Sequence, residues 1–243
     1  MTTPVSDHYE KLLGPIYSWM VGDLEVATER ADAELASIGI PSGTTGNAVD
    51  LGAGFGMHSV PLARRGYKVV AIDNYEPLLQ QLRSRAGSLT VRAVRADLLR
   101  FREEVVQPAN VVLCMGDTLT HLPNVASVES LFSSVAAALT PGGLFAMSFR
   151  DYHSTPLQGD RRFILVRGDE HRILTCFLEY SDTTVRVHDV LHERVASNWQ
   201  LRLSSYPKLR LSPEWVVNTL TARGFSVRRE AGLSGMVRVV AQL

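Results

Sequence analysis

The sequence lacks several features that would fix its class at once. Cysteine is scarce: only Cys114 and Cys176 occur in 243 residues, and each sits inside an apolar run. Both read as buried, reduced thiols, and a cytoplasmic setting is expected. Neither charge is in excess, because 25 Lys+Arg balance 25 Asp+Glu. A general nucleic-acid binder usually carries a basic excess, so no nucleic-acid partner is expected. Long apolar runs are missing too. The longest are 111–115 and 142–147, far short of the about 20 residues of a membrane span, so no membrane partner is expected either. Residues 1–7 contain no basic region and no apolar core, so no secretory signal is expected. Internal repeats and low-complexity tracts are absent. What remains is globular, with 45% hydrophobic and 21% charged residues, which excludes disordered, collagen-like and coiled-coil chains. The length suits one α/β core with an elaboration.

Residues 1–41 read as helices, with an Ala- and Glu-rich stretch at 20–38 and Asp23 placed to cap it. A Pro/Ser/Gly/Thr loop follows at 41–46. Strands are expected at 47–51, 67–72, 90–95 and 110–115. Between them come helices at 55–65, ended by Gly66, and at 78–86, with Asn74 as the candidate cap. Val128, Leu131, Phe132, Val135 and Leu139 fall at helical spacing, and Pro141-Gly142-Gly143 turns into a strand at 144–149. Such alternation implies βαβ units and a parallel sheet. The pattern changes at 163–211, which is extended, with hairpin turns at Gly168-Asp169 and Ser181-Asp182. Ser212-Pro213-Glu214 then starts a helix that Gly224 ends. Strands at 225–231 and 236–243 close the chain. The expected division is a helical cap (1–41), a core (42–155), an antiparallel β insertion over the substrate side (156–211), and a helix with a β-hairpin completing the core (212–243).

The strongest signal is Val49-Asp50-Leu51-Gly52-Ala53-Gly54-Phe55-Gly56, at the end of the first strand. Glycines there let a ligand approach the backbone, and the following helix start favours carboxylate or anionic groups. No Lys-Ser/Thr follows, so it is not a phosphate-binding Walker loop. Met57 stands where the dinucleotide fingerprint needs a small residue. Asp73 ends the second strand, where an acid accepts ribose hydroxyls. Asp97 follows the third, where it could accept from an adenine amino group. The plainer readings are a tight turn and two helix caps. Three ligand-type signals at the carboxyl ends of three successive strands are hard to assign to chance.

These residues, the segment from Val112 to Leu122, the Pro141-Gly142-Gly143 turn and the closing strand pair resemble a class I S-adenosylmethionine-dependent methyltransferase. The resemblance covers roughly residues 45–150 and 212–243. It implies a Rossmann-like, seven-stranded, mostly parallel sheet with an antiparallel last strand. Cys114-Met115-Gly116-Asp117, His121-Leu122 and Ser148-Phe149-Arg150-Asp151-Tyr152 resemble the small-molecule N-methyltransferases of the glycine/sarcosine type. The cofactor implied is S-adenosylmethionine, and the partner is a small-molecule acceptor; a homodimer is compatible with this. The implied cofactor residues are Tyr17, Trp19, Asp50, Gly52, Ala53, Gly54, His58, Asp73, Asn74, Asp97, Leu98, Met115, Gly116, Asp117 and His121. His121 and Tyr9 are the implied catalytic residues. Arg150, Tyr152 and Tyr206 are implied on the substrate. Asp117 departs from the Asn of that type, and an aspartate facing Arg150 suggests a zwitterionic acceptor. A ring from the N-terminal helix could shield the reaction from water and face the sulfonium. No metal site is read. Arg186, His188, His192 and Arg194 share one face of a strand, as a solvated basic face or the wall of an anionic pocket, but His188 and His192 stand about 13 Å apart, too far to share one ion. O-methylation, a dinucleotide-dependent oxidoreductase and a non-catalytic nucleoside-binding module stay open as alternatives.

Overall fold

The computed structural model describes residues 4–243; the first three residues of the expected helical cap lie outside them. Helix α1 (Pro4–His8) passes through a π turn (Tyr9–Leu13) into α2 (Gly14–Val21). Gly22, at φ 96°, ends α2 within the Ala- and Glu-rich stretch at 20–38. Asp23 caps α3 (Leu24–Ser37) as expected, accepting from the backbone N–H groups of Glu25 and Val26 at 2.9 and 3.1 Å.

The core alternates β1 (Gly46–Leu51), α4 (Ser59–Arg64), β2 (Tyr67–Asp73), α5 (Glu76–Ala86), β3 (Val91–Arg95), β4 (Ala109–Cys114), α6 (Val125–Ala136) and β5 (Leu139–Phe149). The insertion is β6 (Phe163–Gly168), β7 (Arg172–Tyr180), β8 (Thr184–Val195) and β9 (Asn198–Leu209). Helix α7 (Pro213–Thr221), β10 (Ser226–Ala231) and β11 (Val237–Gln242) return to the core. The seven-stranded sheet runs β10-β11-β5-β4-β1-β2-β3, and β11 is antiparallel to both neighbours. Its central strands β4 and β5 are apolar on both sides because helices cover both faces. Phe101, Phe132 and Phe145 fill one layer, and Leu62, Leu79 and Leu82 fill the other.

Three local readings are corrected. The helix expected at 55–65 starts only at Ser59, because Gly52, Gly54 and Gly56 carry the chain through left-handed turns. Asn74 does not cap α5; the N-cap position is Tyr75, which makes no side-chain bond there. Leu139 belongs to β5 and not to α6. It pairs with Ala109 before the register jumps to Val111 opposite Leu144, so Pro141-Gly142-Gly143 lies within that irregularity.

The insertion is a four-stranded antiparallel sheet, β6-β7-β8-β9. Asp169 closes the first hairpin by accepting from the N–H groups of His171 and Arg172, both at 2.8 Å. Ser181 closes the second, its N–H donating to Thr184 O at 2.9 Å. One face of this sheet is buried: Leu174 and Leu191 meet Leu12, Leu13 and Ile16 of the N-terminal helices. Arg186, His188, His192 and Arg194 lie on the opposite, outward face, since Asp189 between them points inward and is buried. They therefore do not wall a pocket. No helix among the described residues is long and apolar enough to cross a membrane.

Candidate active site

A cavity of about 610 Å³ opens at the carboxyl ends of β1 to β4 and is roofed by the N-terminal helices. That size lies within the range of small-molecule sites. Its floor is the glycine turn. Gly52, Gly54 and Gly56 have φ of 77°, 53° and 89°, the left-handed region that favours glycine. A Cβ on Gly52 would stand 2.5 Å from Thr118, so that glycine is required by packing. A Cβ on Gly54 would meet only Leu78, at 3.9 Å, so this backbone borders open space.

Asp73 ends β2 against the turn. Its Oδ2 accepts from Gly54 N–H at 2.8 Å and its Oδ1 from Tyr75 N–H at 2.9 Å. Each oxygen keeps acceptor capacity, enough for a diol. Burial pushes its carboxyl up, against the opposing pull of those N–H groups. Asp50 is deeper, accepts from Ser59 Oγ at 2.6 Å, and is likewise raised by burial. His58 Nε2 lies 3.2 Å from Glu34, a buried acid that also meets Arg238 at 3.3 Å. Asp97 does cap the 3-10 turn after β3, accepting from Leu99 N–H at 2.9 Å, and it still borders the cavity with Leu98. Ala53, Asn74, Met115 and Gly116 complete the expected lining.

The roof is aromatic. Tyr9 sits in the π turn with its ring 6.0 Å from Tyr17, 6.2 Å from Tyr75 and 6.1 Å from His121. Burial raises the phenol pKa of both Tyr9 and Tyr17. Burial and then Lys208 push the His121 imidazole down to about 3, although Asp117 opposes this, so the ring is neutral at neutral pH. Its Nε2 is buried and has no hydrogen-bond partner.

Five expected site residues do not line this cavity. Trp19 turns away: its Nε1 donates to Asp169 at 2.5 Å, and its ring lies beneath Arg167 and Arg172. Arg150 donates to Ser234 O at 3.3 Å and does not face Asp117 with its guanidinium. Only its backbone N–H reaches Asp117, at 2.9 Å. Asp117, left-handed at φ 76°, is instead paired with Lys208 Nζ at 2.5 Å. Tyr152 and Tyr206 pack around that pair, with Lys208 Nζ 5.9 and 5.5 Å from their ring centres. Tyr206 also stacks on His8 at 4.1 Å and meets His121 edge-on at 5.6 Å, so it forms the layer behind the cavity wall. The zwitterionic acceptor inferred from an Arg150–Asp117 pair is therefore set aside, because Asp117 is already neutralised from within. Phe55, Arg95 and Thr118 line the cavity and were missed. Phe55 lies inside the glycine motif and Arg95 just before Asp97, so adjacency was the available signal.

The seven-stranded order with its antiparallel β11, the glycine turn and the acids after β2 and β3 form the fold of the class I S-adenosylmethionine-dependent methyltransferases. Residues 48–143 match the family model described as a methyltransferase domain. Over 106 residues, 43% of this chain, it is 26% identical to glycine/sarcosine N-methyltransferase of Halorhodospira halochloris, and this match spans only 40% of that relative. The CcbJ methyltransferase of Streptomyces caelestis shares the fold, with a TM-score of 0.78 and 19% identity over 96% of each chain. So does S-adenosylmethionine-bound CalS10, an amino pentose methyltransferase of Micromonospora echinaspora, with a TM-score of 0.67 and 19% identity over 100% of this chain and 97% of that one.

Proposed function

We propose that this chain transfers a methyl group from S-adenosylmethionine to the amine nitrogen of a small molecule. The observation that carries the reading is the neutral His121 with its unpartnered Nε2, set beside the aromatic roof of a cavity whose floor fits the cofactor. The names of the relatives, acting on glycine, sarcosine or an amino pentose, support nitrogen as the acceptor atom.

The fit rests on the open space at Gly54 and on the free acceptor capacity of Asp73. The glycine turn would hold the methionine end, Asp73 the ribose, and Asp97 with Leu98 and Met115 the adenine. When bound, S-adenosylmethionine supplies an electrophilic methyl on a sulfonium leaving group. The protein then has to orient and to exclude water, contributions worth about 7–11 kcal/mol in favourable cases. Tyr9 and Tyr17 offer ring faces that attract a cation and keep water out. Neutral His121 accepts an N–H of the amine at Nε2, which leaves the nitrogen lone pair free to attack. An ammonium has no lone pair, so the acceptor must arrive neutral. In this reading the core (42–155, 212–243) holds the cofactor, while the cap and the insertion enclose the acceptor.

The test is a screen with methyl-labelled cofactor against paired amines and alcohols, including amino sugars, glycine and sarcosine. Label on nitrogen, lost in His121→Ala with cofactor affinity retained, is the expected result. Label on hydroxyl oxygen alone would overturn the choice of nitrogen.

A further inference from the structure

We infer that the outward face of the four-stranded sheet is the contact surface of a homodimer, with a second copy of this chain as its occupant. Residues directly opposite one another across strands share a face. Leu165 opposes Thr175, Thr175 opposes Val190, and Val190 opposes Leu203. The adjoining rows carry Phe163 opposite Phe177 at one side, and Ile173 and Leu201 flanking His192 at the other, with Trp199 beyond them. Half of the twelve exposed large hydrophobic residues among the described residues lie on this one face: Phe163, Leu165, Ile173, Trp199, Leu201 and Leu203. Leu165 and Leu203, at its centre, are 66% and 65% exposed, and Phe163 is 60% exposed.

A sheet is apolar on a face that something covers. The inward face has its cover in the N-terminal helices. For the outward face, two facts favour a second copy over another occupant. The first is area. At roughly 150–200 Å² per free side chain and half exposure, the six residues offer about 500 Å² per copy. Two copies then bury about 1,000 Å² of apolar surface alone, and the polar rows between raise this toward the 1,200–2,000 Å² of stable interfaces. A patch of about 500 Å² already stands at the upper end for monomers. The second is charge. Arg186 and Arg194 stand four residues either side of Val190 on β8, so the cations rim an apolar centre, which is the arrangement of a protein–protein interface. Two such faces pack as aligned sheets about 10 Å apart, an isologous contact in which each copy presents the same patch.

The contact stands directly behind Asp189 and Tyr206, whose strands form the wall beside the cavity, so pairing would brace that wall from outside. The experiment is sedimentation equilibrium of the full chain at about 10–100 μM, above the weakest affinities of interfaces this size. The expected result is twice the 26.8 kDa chain mass. Leu165→Glu and Leu203→Glu are expected to run as folded monomers, with far-UV circular dichroism and thermal midpoint retained, because both side chains point to solvent in the single chain. Val26→Glu, at an exposed apolar site on α3, is expected to stay dimeric. A monomeric parent, a dimer that survives both glutamates, or a parent monomer that binds phosphatidylcholine vesicles through this face would each overturn the inference. None of these readings depends on catalysis, so failure of the methyltransferase assignment would be seen separately.

Discussion

Replacing Lys208 with Met isolates the buried pair behind the cavity wall. Asp117 and Lys208 are only 5% and 8% exposed, and their charged atoms meet at 2.5 Å. Asp117 Oδ1 keeps the Arg150 N–H at 2.9 Å and the Thr120 hydroxyl at 3.1 Å in the variant. Oδ2 keeps only the Tyr152 hydroxyl, at 3.4 Å. Removing one member of a buried pair costs about 3–5 kcal/mol, because the remaining charge is left uncompensated. Against a typical domain stability of about 5–15 kcal/mol, that is a large fraction. Burial alone would raise the Asp117 carboxyl, and Lys208 chiefly holds it low. Without Lys208 it rises above its unfolded value, so the folded variant binds more protons and its deficit shrinks as pH falls. The assay is urea unfolding at pH 7 and pH 5, read by far-UV circular dichroism and extrapolated linearly. The double variant Asp117→Asn/Lys208→Met should recover part of the loss. A cost below about 1 kcal/mol, or no recovery in the double variant, would refute the assignment of a desolvated pair.

Asp73→Asn should weaken S-adenosylmethionine binding by about 1.5–3 kcal/mol without unfolding the chain, since a charged acceptor is lost; calorimetry showing unchanged affinity would remove Asp73 from the site. Gly52→Ala and Gly54→Val should separate packing from ligand space: the first should lower the thermal midpoint through its 2.5 Å approach to Thr118, the second chiefly the cofactor affinity. His121 gives a pH signature. The folded ring stays neutral to about 3, whereas the unfolded one protonates near 6.5. The unfolded chain therefore binds more protons in that window, and stability should fall as pH drops through it by up to about 1.4 kcal/mol per unit; His121→Asn should flatten this slope in acid titrations followed by fluorescence.

The parallel core was readable because β1, β2, β4 and β5 carry short apolar runs next to Gly, Pro or Asp, signals that act within a few residues. The glycine turn, Asp73 and Asp97 were readable for the same reason: each directly follows its strand. The misreadings have a different origin. Leu139 keeps helical spacing with Val135, yet strand pairing with Ala109 takes it. Arg150 and Asp117 sit at neighbouring strand ends, but side-chain direction there is set by Lys208, which lies 91 residues from Asp117 in sequence. Trp19 shares a helix with Tyr17, and its place depends on Asp169, 150 residues away. The wall of the cavity beside the cap and the insertion is built from contacts of this long range, for which local pattern carries no signal.

The roof of the cavity also sets an order of events during synthesis. Arg202 donates to Lys11 O across 191 residues, and Leu12, Leu13 and Ile16 share one buried apolar cluster with Leu174 and Leu191. At about 5–20 residues per second, a ribosome needs roughly 10–40 s to supply the second half of that contact. For that interval the N-terminal helices wait with an uncovered apolar side while the strands of the parallel core emerge behind them. Tyr9 stands over the glycine turn on a helix that the insertion holds from its other side, so the cavity can be fully enclosed only after residue 191 has emerged.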